Sequence, residues 1–222
     1  VKLFLATDAV EDVRWAAERA LIDGVVLPDA ALRDAASNDE AMRWLTEFAR
    51  AAALPVFVAL TATNADDAEA EAERLGRAAD AVVIQIPFTE PYIPLLHRLA
   101  RSGVRVAATF VASTAQAMLA ARTAAAFVFV DVDRLDAAGA GGARVIGEVR
   151  ELFNAHRVES DIVAVFPSAS GAVVQCAAAG ADAAVVGITT LRALLAYPFT
   201  DQSLPDGGPR PSRGERLRVS ST

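Results

Sequence analysis

Ala81-Val82-Val83-Ile84-Gln85-Ile86-Pro87 is the stretch that decides the fold. Six of its seven residues are apolar, most of them β-branched, and charge is absent. A strand with one face in water alternates apolar and polar residues. A near-continuous run is what a strand covered on both faces needs, as in a parallel sheet under helices. Similar runs lie at 3–7, 24–28, 55–61, 104–111, 126–132, 161–167 and 183–187. Ala79-Asp80-Ala81-Val82-Val83 is echoed by Ala181-Asp182-Ala183-Ala184-Val185, so the unit repeats weakly within the chain.

Between the runs, helical patterning covers about 10–20, 30–53, 65–78, 91–102, 114–124, 142–156, 170–179 and 190–196. Asn64 or Asp66 can cap the third helix, and Ser113 or Thr114 the fifth. Gly103 and Gly180 stand where a helix must end before the next strand. Eight strand–helix units predict an α/β fold, a single-domain (βα)8 TIM barrel over residues 1–201. A doubly wound open sheet is the alternative. It ranks lower because Ala6-Thr7-Asp8-Ala9 follows the first strand where a glycine-rich phosphate turn belongs. Residues 202–222 break the pattern. They form a Pro/Gly/Arg-rich C-terminal tail, either flexible or an arm that packs on an acidic neighbour.

Composition narrows the function. Hydrophobic residues make up 54% and charged residues 22%, with mean hydropathy +0.32, too apolar for a disordered chain. Charge interrupts the long apolar stretches, so no membrane span is expected, and Val1 to Leu5 is too short for a signal core. A net charge of −7 and a pI near 4.9 argue against nucleic-acid or anionic-membrane partners. One cysteine and two histidines cannot build a zinc-type site, so neither metal nor other cofactor is expected. The default location is the cytoplasm. Of 21 basic residues only Lys2 is a lysine; the rest are arginine.

Several stretches together resemble the small transaldolase family, which includes fructose-6-phosphate aldolase. They are Leu21-Ile22-Asp23-Gly24-Val25, Val82 to Pro87 with Thr89-Glu90, Ala115 to Ala121, Arg134 to Gly139, Ala179 to Asp182 and Pro198 to Asp201. The resemblance implies a (βα)8 barrel, ring-shaped oligomers and cleavage of a carbon–carbon bond beside a ketone. In that chemistry a lysine amine condenses with the ketone, and the Schiff base serves as an electron sink.

The resemblance puts the lysine at the position of Gln85, whose amide is not nucleophilic. Lys2 begins the first strand, at the end away from the mouth. Other family positions also change: the first-strand aspartate falls at Ala6, and further site residues at Pro28, Ala59, Ala107 and Asp131. Phe166 and Ser168 fall where a serine and an arginine hold substrate phosphate. Thr109, Ser113 and Arg134 remain. The resemblance therefore implies a barrel without its Schiff-base reaction: a non-catalytic binder or scaffold. The alternative is an enzyme of different chemistry, proton transfer or metal-assisted aldol cleavage on a carbonyl or polyol, centred on Asp131 and Gln85. The family's clasping C-terminal helix would run through Pro205, Pro209 and Pro211, so assembly through the barrel sides is expected instead.

Strand C-terminal ends supply a barrel's ligand contacts. They offer Gln85, Thr109, Ser113, Asp131, Asp133 and Arg134, with Thr7, Asp8, Asp29, Thr61, Glu90, Ser168, Thr189 and Thr190 around them. Carboxylates outnumber Arg134, which favours a small polar or cationic ligand over a phosphate. Period-two alternation sets Asp131 and Asp133 on one face of a strand. They are then a buried carboxylate pair usable as a general acid/base or a hard-metal ligand, or a strand-end pair with Asp133 solvated and Asp131 satisfied by Thr109, Gln85 or Arg134. His97, His156, Cys176, Trp15 and Trp44 lie on helices and read as packing or surface residues. Gly139 to Gly142 reads as a connecting loop, with phosphate binding the lesser alternative.

Overall fold

A computed structural model describes residues 1–32, 37–62, 64–166 and 170–196. The elements are β1 (Lys2–Ala6), α1 (Val10–Ala17), β2 (Gly24–Val26), α2 (Asn38–Ala52), β3 (Val56–Ala59), α3 (Ala65–Gly76), β4 (Val82–Pro87) and a 3-10 turn (Glu90–Tyr92). Then come α4 (Ile93–Arg101), β5 (Val106–Val111), α5 (Thr114–Arg122), β6 (Phe127–Asp131), α6 (Val132–Ala137), α7 (Gly142–His156), β7 (Asp161–Val165), α8 (Ser170–Ala179), β8 (Ala183–Gly187) and α9 (Ile188–Leu195). All eight strands are parallel. They close in sequence order, β8 pairing with β1 through Phe4 opposite Val185. The open-sheet alternative is excluded. Among the described residues no helix is long and apolar enough to cross a membrane.

Local chemistry explains the element ends. Asn64 caps α3: its Oδ1 accepts from the Asp67 amide at 2.9 Å, while the Asp66 side chain lies outside the described ones. Ser113, not Thr114, caps α5, accepting from the Gln116 amide at 3.2 Å. The second helix starts at Asn38, later than residue 30, because Ser37 caps it. Residues 33–36 of that expected helix, Ser168 and the tail all lie outside the described residues. Gly180 closes α8 at φ +107°, with the Arg150 side chain 2.6 Å from where a β-carbon would sit.

One element departs from the expected one-to-one alternation. The run 126–132 does not stay extended to Val132. The strand ends at Asp131, and α6 begins at once. The Asp131 side chain caps that helix, which competes with continued pairing.

Two apolar layers hold the barrel. Between strands and helices pack Leu5, Leu45, Ile84, Leu95, Ile146 and many others. Inside the strands, Phe4, Phe57, Phe127 and Phe129 fill the lower lumen. Phe57 is the hub, its ring centroid 4.7 Å from Phe4, 5.0 Å from Phe127 and 5.4 Å from Phe129. A β-carbon on Gly24 would stand 2.9 Å from Phe4, so glycine makes room for the ring. The plug closes the lumen from below and leaves it open at the strand C-terminal ends.

A candidate binding site at the barrel mouth

Above the plug is a cavity of about 810 Å³. Its floor comes from inward positions of successive strands: Ala6, Val26, Ala59, Gln85, Thr109, Phe129, Val165 and Val185. Small aliphatic side chains dominate, and Gln85 and Thr109 supply neutral polar groups, each under a tenth exposed. Gln85 shares its face with Val83 of the lumen cluster, so it points inward as expected. Lys2 sits at the opposite end. Its Nζ pairs with Asp161 at 2.8 Å, between the starts of β1 and β7.

Asp29, Thr61, Asp131, Asp133 and Arg134 form the rim with Gln85 and Thr109 below. Thr7, Asp8, Glu90, Ser113, Thr189 and Thr190 are not among the lining residues. The Ser113 hydroxyl is committed to capping α5, and the Thr7 Oγ1 accepts from the Ala9 amide.

Asp131 and Asp133 do not share a strand face. Asp131 is the last residue of β6 and the N-cap of α6, whereas Asp133 lies in the first helical turn. Both still reach the cavity. Of the three partners expected for Asp131, the structure selects Arg134. The Asp131 Oδ1 accepts from the Arg134 amide at 3.4 Å, and the Arg134 Nε lies 3.3 Å from its Oδ2. Capping explains the arrangement: one carboxylate meets a free amide at the helix start and the guanidinium one turn on.

A buried glutamate, missed in the sequence, shapes the other side of the mouth. Glu71 of α3 accepts from the amides of Thr61 and Ala62 and from the Thr61 hydroxyl, at 2.5 to 3.0 Å. It holds the β3–α3 loop over the cavity. Only the run of acidic residues in 66–73 was visible, and nothing marked Glu71 as the inward one.

Phe110 was missed as well, and Phe166 was read only as a phosphate position that had lost its polar group. Both line the cavity, stand 47% and 46% exposed, and adopt positive φ, +60° and +47°. Alternation around Thr109 sets Phe110 against the helices. A register shift between Ala108 and Val111 turns it out to the mouth instead. The Arg134 guanidinium lies 5.3 Å from the Phe110 ring centroid.

The remaining candidates have structural roles. The Gly142 amide donates to Asp136 at 2.6 Å, so a carboxylate already occupies the loop that resembled a phosphate site. His97 contacts the Thr123 carbonyl, and Trp44 stacks on Phe48. Burial pushes the Cys176 thiol up to about 11, with the nearby Asp136 charge adding to the rise. Among the described residues no three His, Cys, Asp or Glu side chains are grouped to hold a metal ion. A second groove, of about 1120 Å³, lies by His156 at the strand N-terminal ends, the side where barrels do not carry their chemistry.

The family model described as "Transaldolase/Fructose-6-phosphate aldolase" matches residues 28–214. The chain belongs to this family. Among its relatives, a "Probable transaldolase" of Symbiobacterium thermophilum is 31% identical over 204 residues, covering 92% of this chain and 94% of that protein. The "Probable transaldolase" of Lactiplantibacillus plantarum is 29% identical over 205 residues, covering 92% and 93%. The solved structure described as "Native KDPGal structure" superposes with a TM-score of 0.59 at 14% identity, covering 83% of this chain and 81% of that one. At that identity the likeness concerns the fold alone. This transaldolase-family barrel thus presents an aliphatic floor, an amide at position 85 and a rim with three carboxylates and one guanidinium.

Proposed function

We propose that this member of the transaldolase/fructose-6-phosphate aldolase family is not a Schiff-base catalyst and uses its barrel mouth to bind a small molecule. The observation that carries the reading is the placement of Gln85. Its amide faces the lumen in the mouth cavity, while the Lys2 amine is tied to Asp161 at the far end. An amide holds its nitrogen lone pair in resonance and cannot add to a ketone. Ala6 and Ala59 beside it offer no proton-transfer group. What is left can recognise a ligand: Gln85 and Thr109 by hydrogen bonds, Asp131 and Asp133 by charge, with Arg134 held in the same rim by its pairing with Asp131.

Borohydride reduction in the presence of dihydroxyacetone, read by intact mass, is expected to leave the chain unmodified. A stable adduct at any residue would overturn the reading. Gln85→Lys is expected to give little aldol cleavage of fructose 6-phosphate, because an amine alone does not move the proton. Strong rescue would show a mouth still furnished for the old reaction.

A second reading rests on Asp131, which reaches the cavity floor's edge with its side chain 14% exposed. It would be a proton-transfer catalyst acting on a carbonyl or polyol without an imine.

Assembly through the barrel sides is part of the first proposal. Exposed Met118 and Leu119 on α5 and Val174 on α8 support it, since apolar side chains on outer helices gain from cover. Light scattering at micromolar concentration is expected to give a multiple of the chain mass; a monomer would contradict this. The acidic balance and lone buried cysteine support a cytoplasmic location.

A further inference from the structure

Two bulky residues in the left-handed region, both half-exposed and both on the wall of one cavity, need a reason. Phe110 and Phe166 hold φ at +60° and +47°, where a side chain crowds its own backbone and glycine or asparagine is favoured. Burial does not repay the strain, since each ring is nearly half in solvent. Strain kept at a cavity wall without a packing return marks a site that uses the groups it distorts.

The chain itself indicates what the rings accept. Arg134, exposed and flat, lays its guanidinium over Phe110 at 5.3 Å from the centroid and its Nε against Asp131 at 3.3 Å. A planar cation on an aromatic face with a carboxylate at its edge is a favourable arrangement. The rim leans the same way, with Asp29, Asp131 and Asp133 against Arg134 alone.

We propose that the mouth binds a flat aromatic cation, a heteroaromatic ammonium, with its ring against Phe110 and Phe166 and its charge toward Asp131. The proposal rests on the mouth being a binding pocket and names the chemical class it takes. The small aliphatic floor suits an apolar edge of the ring, and Gln85 and Thr109 can orient a polar substituent. Arg134 is then an internal competitor: it covers one face of Phe110 and neutralises Asp131 until the ligand arrives.

Titration calorimetry with N-methylquinolinium tests this on the full chain, with naphthalene-2-sulfonate as the flat anion and cyclohexyltrimethylammonium as the non-flat cation. Saturable binding of the quinolinium is expected, about tenfold tighter than either control. Phe110→Gly with Phe166→Gly should weaken it about tenfold, while the melting temperature stays within about 3 °C because the backbone strain is released. Phe110→Asn with Phe166→Asn, which tolerates the same backbone, should behave alike. Arg134→Ala should tighten binding several-fold by uncovering ring and carboxylate. No saturable quinolinium binding, a preferred anion, unchanged affinity in both double variants, or weaker binding in Arg134→Ala would each overturn the proposal. So would a melting temperature that collapses in both double variants, which would make the rings structural. A borohydride-trapped adduct would overturn the non-catalytic reading and leave this ligand class standing. Failed quinolinium binding beside a clean trapping result would do the reverse.

Discussion

Phe57→Ala should destabilise the chain by about 3–5 kcal/mol, read as a lower urea midpoint. Phe57 is fully buried, on β3, and its ring touches three other aromatic rings of the lower lumen. Truncation removes the transfer free energy of the ring. It also leaves a void that strands cannot close, because a hydrogen-bonded barrel has a fixed circumference. Phe4 and Phe127 come from other strands and cannot swing far without breaking their own contacts. A loss under about 1 kcal/mol would mean that neighbouring rings collapse into the gap.

Glu71→Ala ranks second, at about 3 kcal/mol. The carboxylate satisfies two backbone amides and a hydroxyl in the β3–α3 loop. Removing it leaves those donors without their acceptor in a partly buried place, and hydrogen bonds to a charged group are the costly ones to lose. Glu71→Gln keeps one acceptor oxygen, so it should recover about half of the loss. If Glu71→Ala unfolds within about 0.5 kcal/mol of the parent, water substitutes for the carboxylate and the loop does not depend on it.

The barrel was legible because its strands announce themselves. Val82 to Pro87 is apolar but for Gln85, and Phe127 to Val130 is apolar throughout; cover on both sides explains that. Asn64, Ser113, Gly103 and Gly180 marked helix ends by the chemistry of their side chains or by the lack of one. The inward aim of Gln85 and the remoteness of Lys2 follow from strand parity and strand direction, so they too were readable.

The mouth was less legible. Asp131 and Asp133 were assigned to a strand face because alternation has no way of knowing that a carboxylate will stop the strand and start α6. Phe110 went unnoticed, since a bulge that turns one residue outward leaves no mark in the letters Thr109-Phe110-Val111. Glu71 was one acid among several. Its role depends on two amides nine and ten residues away in sequence, which only tertiary structure brings beneath it. Long-range partners and local departures from periodicity, rather than residue type, separate the expected site from the observed one.

Among the described residues, the aromatic plug leaves the barrel open at the strand C-terminal ends. Phe4, Phe57 and Phe127 bar the path from below, so whatever enters above must leave by the way it came. For the ligand proposed above, entry and exit would then share one face of the barrel. Its dwell time would be set at that threshold, by the groups of the rim.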